Sequence, residues 1–392
     1  MIKIDKIKIN DLLTRGVEEV IEKSKLENKL NEGNQLRVKL GIDPTSPNIH
    51  IGRSIPLLKL RDFQELGHKI VLIIGDFTGV IGDTSDKESE RPMLTKDQIK
   101  KNMEGYILQA GKIININECE IHYNSDWLGK LSYSELGEQA DVFSLSDFVA
   151  RENIKKRLDS GKRVSLRELL YPLMQGYDSV FVKADVELGG TDQRFNLLAG
   201  RELQRHYKQV PQDVIMNPLI EGLDGRKMSS SWGNTVNLFD IPNEMYGKIM
   251  SLKDEYIIKY FILTTRVDID TIEKYKKSLE AGVNPRDIKM KLAFELVRFY
   301  YSIQEAEKAE NYFTNTFSKK EIPLDLVEIK PLNYNIVLVL IESKFVSSKT
   351  EARHALEQGS IKINGVNIYD SKAELKIGDT LQKGKRFFIK II

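Results

Sequence analysis

The chain has 392 residues, 41% hydrophobic and 30% charged, an ordinary balance for a globular protein with room for two or three domains. No apolar run reaches the ~18 residues of a membrane helix. Charges interrupt the amino-terminal Met1-Ile-Lys-Ile-Asp-Lys6, and Cys119 is the sole cysteine beside five scattered histidines; a secretory leader, an intramolecular disulfide and a zinc cluster are set aside, and a cytoplasmic protein is expected.

Net charge is +2 but unevenly placed. Residues 333–392 hold ten Lys or Arg and six Asp or Glu, hence +4, and the preceding residues hold 49 and 51, hence −2. A basic tail on a near-neutral body points to an anionic partner, nucleic acid first. In chain order, residues 1–35 carry Leu12, Leu13, Val17, Val20 and Ile21 at the spacing of a helix. Residues 36–42 read as a strand and 69–75 as a second, almost wholly apolar one, with helical spacing over 55–66 between them. Apolar runs alternating with helices predict a doubly wound α/β domain on a parallel sheet.

Three loops follow strand ends: Gly41-Ile-Asp-Pro-Thr-Ser-Pro-Asn-Ile-His50-Ile-Gly52-Arg53, Asp76-Phe-Thr-Gly-Val-Ile-Gly-Asp83, and Asn124-Ser-Asp-Trp127 after a strand at 120–123. Ligands of open α/β sheets bind outside strand carboxyl ends, so the three are expected to share one crevice. Thr95 with Gln98 predicts a capping box on a helix to about residue 111. Residues 133–175 read as helical with caps at Ser146 and Ser165; strands are expected at 184–190 and 214–219, with a helix over 191–206 between them. Residues 240–317 are mostly helical, Ile288, Leu292, Phe294 or Glu295, and Val297 forming an apolar stripe read as core. A linker is expected near 319–331. Beyond it come a helix at 350–358 stopped by Gly359, a strand at 360–363 and an Asn364-Gly365 hairpin turn, a small α+β module.

Read together, these motifs resemble those of bacterial tyrosyl-tRNA synthetases, members of the class I aminoacyl-tRNA synthetases. His50-Ile-Gly-Arg53 is similar to the family's His-Ile-Gly-His element, Lys227-Met-Ser-Ser-Ser231 to its Lys-Met-Ser-Lys-Ser element, and residues 348–365 to an S4 RNA-binding module. The resemblance implies a Rossmann-type catalytic domain over 1–235 with a helical insertion at about 130–175, a helical domain over 236–318, a linker at 319–332 and an S4-like domain over 333–392. It also implies the reaction. Tyrosine and ATP would give tyrosyl-adenylate and pyrophosphate, and tyrosine would pass to the terminal ribose of tRNA(Tyr). ATP would be a substrate, Mg²⁺ would arrive with it without a dedicated protein site, and the protein would be a homodimer with 133–165 as candidate interface.

Residue by residue, the resemblance assigns His50, Arg53, Lys87, Arg91, Lys227 and Ser230 to catalysis. Gly41, Asp83, Tyr171, Gln175, Asp178 and Gln193 would hold tyrosine, with Tyr171, Gln175 and Asp83 at the ammonium and Asp178 at the phenol. Asp43, Thr45, His50, Gly52, Gly190, Asp192, Lys227 and Met228 would meet ATP, and Lys349, Arg353 and Lys362 the tRNA. The spacing of Tyr171, Gln175 and Asp178 puts them on one helical face.

Five residues depart from the family pattern. Arg53 replaces the second histidine, and Ser230 replaces a lysine, which implies slower activation or a compensating cation such as Mg²⁺ or a monovalent ion. Thr84 and Asp86 stand where proline and glycine are usual, an expected loosening of that loop. Lys39 stands where some members carry a tyrosine against the substrate hydroxyl, which leaves the phenol to Asp178. A tryptophanyl-tRNA synthetase and a catalytically inactive synthetase-like RNA-binding protein remain as alternatives.

Overall fold

The computed structural model describes residues 2–84, 93–318, 326–346, 348–384 and 387–392. They divide into two compact units, Met1–Asp240 with Ser251–Leu292, and Ile241–Met250 with Ala293–Ile392. Among the described residues no helix is long and apolar enough to cross a membrane.

The first unit is built on six strands, β1 (Glu19–Ile21), β2 (Arg37–Ile42), β3 (Lys69–Ile74), β4 (Glu120–Tyr123), β5 (Val186–Gly190) and β6 (Asp213–Asn217), in the order β1-β6-β5-β2-β3-β4. Strands β2 to β6 pair in parallel, and β1 runs antiparallel on the β6 edge. Parallel pairing needs crossovers, whose helices cover both sheet faces; the strands therefore read as unbroken apolar runs. Val38, Leu40, Ile70 to Ile74, Val186, Leu188 and Val214 to Met216 are all at most 4% exposed. The chain winds outward from β2 through β3 to β4, then returns to lay β5 and β6 on the other side. The reversal between β2 and β5 opens a crevice at their carboxyl ends.

Several expectations need correction. Residues 1–35 are not one helix: Lys6–Thr14 and Lys23–Glu32 are helical, and β1 lies between them. Gly16 turns the chain at φ +59°, and the β-branched Val20 and Ile21 pair with Ile215 and Val214 instead. The 95–111 helix is broken at Gly105 into Lys96–Met103, which has its capping box, and Tyr106–Ala110. The loop after β3 holds a one-turn helix, Thr78–Ile81, and that after β4 another, Ser125–Leu128. Within 133–165 three short helices form, Tyr133–Asp141, Leu145–Val149 and Glu152–Asp159, and Ser144, not Ser146, sits at the second cap.

The helix Leu166–Val182 carries the tyrosine-pocket candidates, and its start is tied down. Ser165 forms a capping box with Glu168. The Glu168 carboxylate, buried, accepts from Arg157 at 2.5 and 3.1 Å and from Thr84 Oγ1 at 2.7 Å. Asn153 Nδ2 donates to the Thr84 carbonyl at 2.8 Å. Thr84 is thereby tied to the start of this helix; the rest of the loop expected to be loosened, Asp86 included, lies outside the described residues.

In the second unit, strands β7 (Val327–Ile329), β8 (Ile361–Ile363), β9 (Val366–Asn367), β10 (Thr380–Lys383) and β11 (Phe387–Ile391) form a sheet in the order β7-β11-β10-β8-β9. The helices Ile336–Glu342 and Lys349–Glu357 pack Val339, Leu340, Ala352 and Leu356 with Ile361, Leu381 and Ile389 into its core. Asn364 and Gly365 both have positive φ, +50° and +83°, as a two-residue hairpin of the primed type demands. Strand β7 falls where only linker was expected, and pairs with β11; residues 319–325 lie outside the described ones. The stripe on the helix Pro285–Tyr300 is buried at Ile288, Leu292, Leu296 and Val297, with Phe294 and Glu295 half-buried.

Arg157→Met should cost about 3–5 kcal/mol in denaturant titration, because it strands a buried carboxylate without its cation. A loss below about 1 kcal/mol would show that Arg157 does not hold the Leu166–Val182 helix in place.

Candidate active site

A cavity of about 400 Å³ opens at the carboxyl ends of β2 and β5. The three loops expected to converge do so, with Gly41, Asp43, His50 and Arg53 of the first, Thr78 and Asp83 of the second and Asn124 of the third on its wall, together with the 227–231 loop. At Gly41, on the cavity wall, a Cβ would meet nothing within 4 Å. Gly75 needs to be bare for crowding, a Cβ standing 2.1 Å from Asp43 Oδ1.

One end of the cavity is a set of acceptors. Tyr171 Oη donates to Asp43 Oδ2 at 2.8 Å, which turns its lone pairs outward. Gln175 Nε2 donates to Glu187 Oε1 at 3.2 Å, which turns the amide oxygen away from that carboxylate. Asp83 Oδ2 accepts from Gln193 Nε2 at 2.6 Å, and Gln193 Oε1 accepts from Asn196 at 2.9 Å. Nearby, Asp178 is 3% exposed and accepts from Trp127 Nε1 at 2.8 Å and Asn124 Nδ2 at 3.2 Å. Burial pushes the Asp178 carboxyl up to about 7, against the pull of Lys39 and these two hydrogen bonds. Burial likewise lifts Asp43 to about 6, although Thr78 and Tyr171 donate to it.

The other end is suited to phosphate. His50 caps the helix Ile51–Glu65, its Nδ1 accepting from the Arg53 amide at 3.3 Å. That bond leaves the ring proton on Nε2, a donor. Burial, then the charges of Arg53 and Lys227, lower the imidazole to about 3, so it is neutral at physiological pH. The helix start adds a dipole end to the same spot. Gly52 lies tight under His50, a Cβ coming within 3.0 Å of Nδ1, and Pro56 has no N–H for the Gly52 carbonyl. Arg53 reaches Thr45 Oγ1 and Tyr106 Oη, both at 3.0 Å. Among the described residues lining the cavity, the cations are Arg53 and Lys227. Lys227 Nζ stands 2.8 Å from Asp192 Oδ2. Its loop is stapled by Asn234, which accepts from the Ser229 amide at 2.9 Å and donates to the Lys227 carbonyl at 3.1 Å and Asp224 at 2.7 Å. Ser230 Oγ faces Ser46 Oγ at 3.4 Å.

A family model described as tRNA synthetases class I (W and Y) matches residues 31–318. The chain belongs to that family of class I tRNA synthetases. A second model, for a tyrosine–tRNA ligase SYY-like C-terminal domain, matches residues 315–390. Similar curated proteins include a tyrosine–tRNA ligase of Thermotoga maritima, 44% identical over 97% of this chain and 96% of its own, and tyrosine–tRNA ligase 2 of Clostridium acetobutylicum, 44% identical over 97% of each. Among solved structures, a tyrosyl-tRNA synthetase complexed with L-tyrosine from Archaeoglobus fulgidus superimposes with a TM-score of 0.62 at 23% identity, over 79% of this chain and 100% of its own. A C-terminally truncated mitochondrial tyrosyl-tRNA synthetase of Aspergillus nidulans gives 0.68 at 20% identity, over 80% and 95%. These two support the fold alone.

The synthetase cavity brings together Gly41, Asp43, Thr45, His50, Gly52, Arg53, Asp83, Tyr171, Gln175, Asp178, Gly190, Asp192, Gln193, Lys227, Met228 and Ser230. Lys87 and Arg91 lie outside the described residues. In the other unit, Lys349 and Arg353 are exposed one turn apart on the helix Lys349–Glu357, and Lys362 is half-buried on β8. Thr78, Asn124 and Trp127, which surround Asp43 and Asp178, were not singled out from sequence. Their signal was position: each lies just after a strand expected to end in the crevice.

A ¹³C titration of aspartate carboxyls should find Asp178 near 7 and Asp43 near 6, and Asp178→Asn should delete the first signal. Both groups are raised in the folded state, so they favour folding while protonated. That contribution is lost as pH climbs from about 4 through these values. Two ordinary aspartate titrations would contradict the burial argument.

Proposed function

We propose that this synthetase is a tyrosine–tRNA ligase that joins L-tyrosine to ATP, releases pyrophosphate, and passes tyrosine from the adenylate to the 3′-terminal ribose of tRNA(Tyr). The amino-acid assignment is carried by the pairing of acceptors. Tyr171, Gln175 and Asp83 offer a hydroxyl, an amide and a carboxylate oxygen to a group with three N–H donors, which is an ammonium. Asp178, buried and held by Trp127 and Asn124, suits a phenolic O–H in the same cavity, to which its carboxylate would accept; an apolar ring would offer it no further donor.

With tyrosine so held, its carboxylate attacks the α-phosphate and pyrophosphate departs. Positioning and charge stabilisation carry such a step. His50 Nε2–H, Arg53 and Lys227 would face the phosphate oxygens, Gly52 the adenine, and Asp192 and Gly190 the ribose. Lys227 and Asp192 are each other's partner in the present geometry, so ATP would exchange that ion pair for contacts to phosphate and ribose. Arg53, tied to Thr45, supplies a second cation across the site from Ser230, where the resembling family has lysine. Mg²⁺ would come with the ATP phosphates. Among the described residues no three His, Cys, Asp or Glu form a metal cradle, and no step here runs through a protein-bound metal.

In the second step the terminal ribose hydroxyl attacks the adenylate's carbonyl carbon and AMP leaves. Lys349, Arg353 and Lys362 would give phosphate contacts that position the tRNA without reading its sequence. We assign the protein to the cytoplasm, beside its tRNA. We also propose a symmetric homodimer through 133–165 and its border, where Tyr133, Leu145 and Leu166 are 95%, 67% and 77% exposed; a monomer in sedimentation equilibrium is the contrary result.

The test is ATP–pyrophosphate exchange with single amino acids. Tyrosine should drive exchange, with phenylalanine and tryptophan at least about a hundredfold weaker in kcat/KM. Exchange driven by tryptophan would favour the tryptophanyl alternative, and none with any amino acid the inactive RNA-binding one.

A further inference from the structure

Beneath the cavity the sheet contains a pair of buried charges. Lys39 on β2 is adjacent in register to Glu187 on β5, and their side chains are 0% and 1% exposed. Lys39 Nζ lies 2.9 Å from Glu187 Oε1 and donates to Ser179 Oγ at 2.7 Å and the Gln175 carbonyl at 3.0 Å. Glu187 accepts in turn from Ser179 Oγ at 3.0 Å, from Gln175 Nε2 at 3.2 Å, and from Gln212 Nε2. Gly200 leaves the room this needs, for a Cβ there would stand 2.7 Å from Gln212 Nε2.

Stability alone does not account for such a pair, since apolar residues of similar volume often serve a protein core as well or better. Its chemistry does have a consequence for the cavity. An ionised carboxylate accepts only, so of the two ends of the Gln175 amide only the NH₂ can face Glu187. The carbonyl end is thereby fixed the other way, on a residue that lines the cavity. Against a neutral partner able both to donate and to accept, the amide could turn over and present N–H groups to a cationic ligand.

We propose that Lys39 is a positioning residue for substrate recognition: by holding Glu187 as a buried anion it locks the Gln175 amide with its oxygen toward the amino acid's ammonium. The inference rests on the reading of the cavity as a tyrosine site. It adds a specificity device one layer below the cavity wall, built from two charges that never touch substrate.

The experiment is exchange kinetics on the full-length protein, the Lys39→Met/Glu187→Gln double variant and Glu187→Asp. The double variant leaves no unpaired charge. Glu187→Asp keeps both charges and draws the carboxylate back by about 1.5 Å, so it reports even where the double variant does not fold. Readouts are KM for L-tyrosine, KM for ATP, and the inhibition constant of 3-(4-hydroxyphenyl)propionate, which lacks the ammonium. In either variant KM for tyrosine should rise about tenfold while KM for ATP stays within about twofold. The inhibition constant of the analogue should stay within about twofold as well, so the advantage that the ammonium gives should shrink about tenfold. A general loosening of the site would raise all three together and overturn the proposal, as would an unchanged KM for tyrosine. Lack of tyrosine-driven exchange in the unsubstituted protein would instead overturn the substrate reading, and this inference with it.

Discussion

A carboxylate drawn out of water needs donors or a proton, and this cavity is organised around two, Asp178, which is buried, and Asp43, which is half-buried. Asp178 is met by Trp127 and Asn124, and Asp43 by Thr78 and Tyr171. Those partners come from the ends of β3 and β4 and from the helix Leu166–Val182. The carboxylates thus tie together the loops that a doubly wound sheet delivers to its switch point. The tie also fixes polarity. Tyr171 spends its proton on Asp43 and Gln175 its amide hydrogen on Glu187, so the wall left to a ligand is rich in acceptors.

The His50 end of the cavity works by the opposite rule. There the field is positive, from Arg53, Lys227 and a helix start, while burial first and the charges of Arg53 and Lys227 second keep His50 neutral. A neutral His50 with its proton on Nε2 can donate without adding a third positive charge beside Arg53 and Lys227. Arg53 and Ser230 then belong to one arrangement. The arginine is anchored on Thr45 and Tyr106 within the same wall as Ser46, which faces Ser230. A cation absent from the 227–231 loop is matched by one present on the His50 helix.

Much of this was legible in the residues. The apolar runs fixed β2, β3, β5 and β6 because parallel strands bury both faces, and steps of four and three put Tyr171, Gln175 and Asp178 on one face. What stayed hidden depended on partners distant in the chain. Strand β1 exists because Val20 and Ile21 find β6, nearly two hundred residues on, and local spacing there favoured a helix. Strand β7 is three residues long and exposed along its edge, too short for periodicity. Lys39 and Glu187 interrupt apolar strands, and only their adjacency across β2 and β5 shows that they neutralise each other. The bond of the Thr84 hydroxyl to Glu168 likewise joins residues 84 positions apart, beyond the reach of local spacing.

The central claim is that buried Asp178 selects the substrate by its phenol. It is tested most directly by the ratio of kcat/KM for tyrosine over phenylalanine, measured by pyrophosphate exchange in the unsubstituted protein and in Asp178→Asn. The ratio should fall about tenfold to a hundredfold in the variant, the worth of one hydrogen bond to a charged group. An unchanged ratio would contradict the account.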